Sequence, residues 1–236
     1  MDRFKIGLSV LIMLTVSGCS RMIGERGNGI VITENFTVEN FNKIDVGGSF
    51  EIRLEKRSTP GVTITTDENL FDFISVTSDG ERLTISSEKT LVSRDGVQVV
   101  IGYSELRAIS VGGAASLISD QTISEDYLDL EMSGAGAVDL DLDMKALEIS
   151  VSGAGAMELT GQVIEQRIRM SGAGGLDAKD LVSEKCEIDI SGVGGASVHV
   201  TEKLMATVSG VGGITYRGNP TDVQKDVSGI GTVQPE

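Results

Sequence analysis

The chain has 236 residues, with 35 acidic and 20 basic side chains and a formal net charge of −15 at pH 7. This acidic balance argues against nucleic acid as a partner, because phosphate backbones are bound by clustered lysine and arginine. After Cys19 only Cys186 remains, which leaves no partner for an intramolecular disulfide in the mature chain and too few ligands for a cysteine-based metal site.

Residues 1–18 are predicted to be a signal peptide. Arg3 and Lys5 precede an apolar run from Ile6 to Val16, a pattern typical of secretion and shorter than the about 20 apolar residues that span a bilayer. The stretch "VSGC" that ends at Cys19 resembles the lipobox of bacterial lipoproteins, which implies cleavage before Cys19 and its lipidation. Several acyl chains, at about 0.8 kcal/mol per buried methylene, would anchor the protein firmly. The alternative is a secreted protein in which Cys19 has no role.

Residues 19–29 are predicted to be a tether, followed by one β-domain over residues 30–236. Over residues 30–108, short runs alternate apolar and polar side chains and are separated by Gly, Pro, Asp and Asn, which is typical of strands. These runs predict less regular N-terminal coils. The stretch "IDVGGSFEIRLE" from Ile44 is interpreted as an early, degenerate copy of the repeat that follows.

The sequence from residue 109 to residue 233 repeats at a nearly constant interval. Units aligned on a serine are 23, 19, 19, 20, 18 and 19 residues apart, and a period near 20 with strand-type patterning is typical of a solenoid. The aligned serines are Ser110, Ser133, Ser152, Ser171, Ser191, Ser209 and Ser228.

Each unit consists of a strand, a glycine-rich corner and a second strand. The residues one before and five after the serine are always apolar, and the residue three after it is always glycine. Glycine suits a corner because it accepts positive φ, and because closely stacked corners leave little room for a Cβ. The serine hydroxyls are expected to bond along the stack or to local backbone. From Ser133 onward the conserved corner positions are Gly136, Gly155, Gly174, Gly194, Gly212 and Gly231.

The repeat predicts an all-β fold, a single-stranded parallel β-helix with coils of about 19–20 residues. An antiparallel sandwich does not need identical corners at a fixed interval. Coils stacked about 4.8 Å apart do, because each residue type then lies on its copy in the next coil. The apolar positions would form a continuous core.

Three features together resemble the putative auto-transporter adhesin, head GIN domain family. They are the F-x-x-I-D-V-G-G pattern of Phe41 to Gly48, the "LRAISVGGAA" stretch of Leu106 to Ala115, and the series of S-G-x-G corners. The resemblance covers about residues 35–232. It implies a right-handed β-helix with an adhesin-like role, in a family of largely secreted or lipid-anchored proteins of Bacteroidota, and it supplies no catalytic motif.

The glycine-rich corners do not have the features of a ligand site. A phosphate cradle needs a helix after the loop and usually a lysine, whereas a strand follows each corner here. Calcium in nonapeptide repeats needs a consistent set of carboxylates. Asp139, Asp141 and Asp143 alternate along a strand instead, and the column of Asp139 holds Glu158, Asp177, Ser197 and Thr215 in the other units.

A catalytic site is also not predicted. Polysaccharide hydrolases and lyases on β-helices use paired carboxylates in a groove that aromatic side chains line, and this chain has no Trp and three Tyr, which are Tyr103, Tyr127 and Tyr216. His199, eight after Ser191 in the column of Asp141, Thr160, Lys179 and Arg217, is expected to be exposed on a strand. Cys186 shares a column with Leu128, Leu147 and Leu204 and is expected to be buried and inert.

These observations predict a non-catalytic, lipid-anchored protein of the cell envelope, with an adhesin-like binding or structural role and with no cofactor or metal. Its partners would be the membrane, through the N-terminal lipid, and a glycan or protein ligand. Ser20 is not an acidic inner-membrane retention residue, which favours the outer membrane by analogy and leaves the periplasmic or surface orientation open. The alternatives are a carbohydrate-active enzyme, hydrolase or lyase, on the same fold, or a periplasmic assembly or signalling partner.

Overall fold

Strand-forming runs occupy most of the chain that the structure describes. The computed structural model describes residues 24–236, so the predicted signal peptide and Cys19 lie outside the described residues. The N-terminal strands are β1 (Glu25–Arg26), β2 (Val31–Phe36), β3 (Lys43–Gly48), β4 (Glu51–Lys56), β5 (Gly61–Asp67), β6 (Ile74–Ser78), β7 (Arg82–Ser87), β8 (Leu91–Val92) and β9 (Gln98–Tyr103). A short 3-10 helix, Glu68–Phe73, separates β5 from β6.

Five of the ten strands of the repeat region, with 10–18 residues each, are longer than any N-terminal strand. They are β10 (Ala108–Gly113), β11 (Ser116–Ser119), β12 (Ile123–Met132), β13 (Ala137–Val151), β14 (Ala156–Met170), β15 (Ala173–Ile190), β16 (Val193–Val208), β17 (Val211–Arg217), β18 (Asp222–Val227) and β19 (Ile230–Pro235). Among residues 24–236, no helix has the length and apolar character that a membrane crossing requires.

Successive coils pair in parallel, each with the coil before it. One apolar column can be followed through nine rungs, Ile85, Val46, Val111, Met132, Val151, Met170, Ile190, Val208 and Val227. At about 4.8 Å between neighbouring strands, this column is roughly 38 Å long. The predicted all-β parallel β-helix is confirmed.

The core consists of such columns, stacked inside the coils. In one of them Leu130, Ile149, Ile168, Ile188 and Ala206 lie on one another and are at most 2% exposed. Burying one large aliphatic side chain contributes about 1.5–3 kcal/mol. Since every coil adds several of them, the stack is stable without disulfides.

The N-terminal coils are less regular, as predicted, but their order in space differs from their order in the chain. The coil of β3 and β4 stacks on β10 and β11 on one side and on β7 and β9 on the other. Gly47 and Gly48 pair with Gly112 and Gly113, so the interpretation of "IDVGGSFEIRLE" as an early copy of the corner is confirmed.

Antiparallel strands, which the repeat did not predict, close the N-terminal end of the solenoid. β5 pairs antiparallel with β2 and β9, and β6 pairs antiparallel with β7. Residues 24–29, predicted as part of the tether, belong to this end. β1 pairs with β8, and the backbone N–H of Gly29 donates to Asp67 Oδ1 at 2.6 Å.

The alignment of the first repeat unit on Ser110 is wrong by two residues. Val111, not Ile109, pairs with Met132, and Leu117, not Ala115, pairs with Val138. A two-residue slip leaves the in-and-out alternation of a strand unchanged, so the sequence pattern alone did not reveal it. The serine column therefore begins at Ser133.

Candidate functional site

The predicted corner ladder is present from Ser133 onward, and its role is structural. The serines Ser133, Ser152, Ser171, Ser191, Ser209 and Ser228 all lie at the exposed corner, where each coil bonds to the previous one through the backbone, as in Ser152 N–H to Met132 O at 2.9 Å. The corner glycines Gly136, Gly155, Gly174, Gly194, Gly212 and Gly231 stack in register.

The corner requires glycine because the coils approach each other closely, not because of positive φ. None of the six corner glycines is among the glycines with positive φ in the described chain, a set that does include Gly113 at 73°. A Cβ added to Gly212 would instead lie 1.7 Å from the carbonyl oxygen of Gly194, and one added to Gly174 would lie 2.5 Å from that of Gly155. The φ argument was wrong, and the argument from stacking holds.

The serine hydroxyls contribute less than predicted. Among the six, the hydroxyl of Ser191 has a bond within the described chain, a long one of 3.5 Å to the carbonyl oxygen of Met170. The hydroxyls face solvent, and the backbone ladder holds the corner together. The corner thus determines the shape of the coils and does not form a pocket with convergent polar groups.

A groove on the outer face of β12 to β16 has more of the features of a binding site. This Tyr127 groove has a volume of about 310 Å³. Tyr127 pairs with Ala146, and Ala146 pairs with Glu165, so the short side chain of Ala146 leaves a depression beside the tyrosine ring. Tyr127 is 40% exposed and Met205, at the other end, is 39% exposed.

Charged side chains of both signs line the Tyr127 groove. Lys185 Nζ lies 2.6 Å from Glu165 Oε1, and Arg167 Nη2 lies 2.9 Å from Glu187 Oε2. The hydrogen bond from Lys185 lowers the pKa of Glu165 and the same bond raises the pKa of Lys185. Exposed ion pairs of this kind contribute little to stability. Their charged groups can therefore exchange partners and form hydrogen bonds to a polar ligand.

Two carboxylates, Glu148 in the groove and Asp129 on the neighbouring strand, lie near Tyr127. The Tyr127 hydroxyl donates to Glu148 Oε2 at 3.2 Å, and Glu148 pairs across the strands with Asp129. Burial, followed by the charge of Glu148, raises the pKa of Asp129. Burial, followed by the same charge, raises the pKa of Tyr127.

A second groove runs along the edge where β12 to β16 bend. This Ile164 groove has a volume of about 660 Å³ and is lined by residues that include Asp126, Lys145, Ile164, Val182 and Glu184. Lys145 Nζ lies 2.8 Å from Asp126 Oδ1, and Ile164 is 42% exposed. It is larger than the Tyr127 groove, but it offers no aromatic ring.

Two of the three aspartates considered for calcium, Asp141 and Asp143, are engaged with neighbouring side chains. Asp141 accepts hydrogen bonds from Thr122 and Thr160, and Asp143 accepts one from Gln162. Across residues 24–236, no three His, Cys, Asp or Glu side chains are grouped so that they could hold a metal ion.

His199 is half-buried, not exposed as predicted, and its predicted column is interrupted. It pairs with Arg217, whose Nε donates to His199 Nδ1 at 3.3 Å. A bulge in β15 displaces Lys179, so that Asp180 pairs with Thr160 and His199 pairs with Val182. Extra residues in one coil shift the columns from the bulge to the point where the register recovers, at Lys185 and Lys203. Counting forward from the serine cannot detect such a shift.

Cys186 lies in the core as predicted. It is 2% exposed, and burial raises the pKa of its thiol. The residue that the sequence reading missed is its neighbour Gln166, which pairs with Cys186 in the otherwise apolar column. Gln166 Nε2 donates to Ser183 Oγ at 2.9 Å, whereas Gln166 Oε1 is buried without a partner. Its position five before Ser171 was the signal that could have revealed it.

Known proteins resemble this chain in sequence and in fold. The family model described as "Putative auto-transporter adhesin, head GIN domain" matches residues 40–220. A crystal structure of a putative adhesin from Bacteroides fragilis is 28% identical, with a TM-score of 0.85 and coverage of 90% of this chain and 100% of that one. One from Parabacteroides merdae is 26% identical, with a TM-score of 0.72 and coverage of 90% and 98%.

A third structure shares the fold at lower identity. It is described as a putative lipid binding protein from Parabacteroides distasonis and is 23% identical, with a TM-score of 0.75 and coverage of 90% of this chain and 99% of that one. A search of curated proteins finds no match.

Proposed function

We propose that this chain, which belongs to the putative auto-transporter adhesin, head GIN domain family, is a non-catalytic lipoprotein of the cell envelope that binds a ligand through its solenoid. The fold and the family support a general adhesin-like role. The lipid anchor at Cys19, the outer-membrane location and the binding site are the parts that we propose.

The position of the N-terminus supports an anchored solenoid. Gly24 lies five residues after Cys19 and packs near Thr90 and Val92 at the N-terminal end of the fold. Five residues span at most about 18 Å, so a lipid on Cys19 would hold this end close to the membrane. The C-terminal coil would then lie roughly 38 Å farther out, as suits a protein that presents a binding surface away from its membrane.

The observation that carries the binding role is the exposed Tyr127 beside Ala146, in a groove that charged side chains also line. A tyrosine ring offers a flat apolar surface and a polar end. Its hydroxyl donates to Glu148, and Arg167 and Lys185 supply further donors along the same groove. This combination suits a sugar, whose rings have an apolar face and hydroxyl edges. A glycan is therefore the ligand class that we propose for the Tyr127 groove.

Binding of the purified chain to an array of envelope and host glycans tests this proposal. Wild-type protein is expected to bind a subset, and Tyr127→Ala is expected to weaken that binding by at least about tenfold, as for an aromatic side chain on which a ligand packs. Ile164→Ala is the matched control, because Ile164 is similarly exposed, at 42%, but lies in the other groove. Unchanged binding by Tyr127→Ala, or equal loss in both variants, would contradict the assignment of the site.

The raised pKa of Asp129 next to Glu148 is the one observation that favours the enzymatic alternative, because glycosidases keep one of two carboxyl groups protonated. Release of new reducing ends from a bound glycan, abolished by Asp129→Asn, would establish it. We expect no release from any glycan that binds. A periplasmic assembly or signalling role would instead be indicated by a specific envelope protein recovered after cross-linking in cells.

A further inference from the structure

The C-terminal coil breaks the pattern of the core at one position. In the column of Leu130, Ile149, Ile168, Ile188 and Ala206, the residue that the last coil supplies is Lys225, which pairs with Ala206. A charged side chain at an inward position is costly inside a core. At the end of a stack it can reach water and polar backbone instead.

Lys225 extends across the open end of the coil. Its Nζ lies 4.8 Å from the centroid of the Tyr216 ring on β17, within range of a cation–π contact. It also donates a hydrogen bond of 3.2 Å to the carbonyl oxygen of Val233 on β19. The side chain thus connects β18, where it originates, with the strand on the other side of the same coil.

At the end that Lys225 covers, one strand edge pairs with none of the strands within residues 24–236. β18 pairs with β16 and β19 pairs with β17, each on one side. The N–H groups of Ile230 and Glu236 bond to Gly210 and Tyr216 in the previous coil. Because backbone groups alternate in direction along a strand, those of Val233 point to the free edge. An unpaired edge of this kind is a template for another strand.

The same end carries exposed apolar side chains. Ile230 is 78% exposed and Val227 is 42% exposed. β19, from Ile230 to Pro235, contains no charged residue, so a second copy of the same strand could approach it without repulsion between like charges. The N-terminal end offers no equivalent surface, since β5 and β6 pair antiparallel over it. The occupant that fits is therefore the C-terminal end of a second copy, related by a two-fold axis.

We infer that Lys225 closes the C-terminal end of the solenoid and keeps this chain from associating end to end with a second copy. Docking of a second coil would remove water from around the ammonium group and place it beside apolar side chains, which costs free energy. It would also compete with the bond to Val233. An isoleucine at this position would restore the apolar column and remove both obstacles.

The oligomeric state of the processed chain, residues 19–236 with Cys19→Ser, tests the inference. Every described strand lies within it, so it retains the whole fold. Sedimentation velocity is expected to show a monomer for wild type up to about 100 µM. Lys225→Ile is expected to dimerise at least about tenfold more tightly, whereas Lys225→Arg, which keeps the charge, stays monomeric. Lys145→Ile adds the same apolar side chain on the lateral surface and is expected to stay monomeric.

Two further variants keep the test decisive. If Lys225→Ile does not fold, as judged by circular dichroism, Lys225→Ala removes the same contacts without adding bulk and is expected to associate, though more weakly. Adding Ile230→Lys to Lys225→Ile is expected to restore the monomer, because it places a charge at the same edge. A folded Lys225→Ile that stays monomeric at about 100 µM, or equal association of Lys145→Ile, overturns the inference.

Discussion

Replacing Gly174 with alanine is expected to destabilise the solenoid, whereas replacing the adjacent Gly175 is not. A Cβ on Gly174 would lie 2.5 Å from the carbonyl oxygen of Gly155 in the previous coil. That is about 0.9 Å closer than the distance at which ordinary van der Waals contact begins. A Cβ on Gly175 has no neighbouring atom within 4 Å, and neither glycine has a positive φ.

The magnitude follows from how the two coils must separate. The corner is held by Ala173 N–H to Gly153 O and by Gly175 N–H to Gly155 O, both at 3.0 Å. Weakening these bonds costs about 1 kcal/mol each, and overpacking of a rigid site costs about 1–3 kcal/mol. The smaller entropy of the unfolded alanine chain offsets about 0.4–1 kcal/mol. The net loss for Gly174→Ala is therefore about 2–4.5 kcal/mol.

Thermal unfolding followed by circular dichroism measures the difference. At about 2–4 °C per kcal/mol for a domain of this size, Gly174→Ala is expected to lower Tm by about 4–18 °C. Gly175→Ala is expected to leave Tm unchanged or to raise it by up to about 4 °C, because only the entropy of the unfolded chain changes. Two variants that melt within about 2 °C of each other would refute the close stacking of the corners.

Three other residues give independent predictions. Cys186 is buried, so a thiol reagent should label it only as fast as the chain unfolds, and rapid labelling in buffer would contradict its position. Gln166→Leu should raise Tm by a few degrees, because it removes an unpaired buried carbonyl that costs about 1 kcal/mol. Ser183 keeps a partner in this variant, since its hydroxyl also donates to a backbone carbonyl. A lower Tm would mean that the amide is needed. The raised pKa of Asp129 means that the folded state favours the protonated carboxyl group. The protein therefore loses stability as pH rises through the folded-state pKa and this group ionises. Asp129→Asn should therefore melt higher than wild type near neutral pH and alike in acid, below the ordinary pKa of an aspartate. Glu148→Gln should reduce this difference. A difference that does not change with pH would contradict the explanation.

The regular part of the fold could be predicted because every coil repeats the same corner. Most columns from Ser133 to Ser228 stack as their spacing indicates, since a solenoid converts a sequence interval directly into a stacking contact. The predicted column of His199 is the exception, because the bulge in β15 interrupts it. The N-terminal end could not be predicted in this way. β7 stacks on β3 and β5 pairs with β2, contacts between strands that share no repeated motif and are joined by turns of unequal length.

The candidate site was much less predictable. The Tyr127 groove depends on the lengths of outward side chains in neighbouring coils. The short side chain of Ala146 leaves a depression beside the long side chain of Tyr127, and no sequence motif marks such a difference. Gln166 and Lys225 were overlooked for a related reason. Both lie at inward positions of columns whose other members are apolar. A column defined by its most frequent residue type does not show the single coil in which a polar residue replaces it.

Protease digestion of intact cells is the most direct test of an anchored protein that presents its solenoid for binding. The account predicts that added protease removes the wild-type chain while a periplasmic marker survives, and that Cys19→Ser is no longer attached to the cell envelope. Full protection of the wild-type chain in intact cells would contradict the adhesin-like role. It would indicate that the solenoid faces the periplasm.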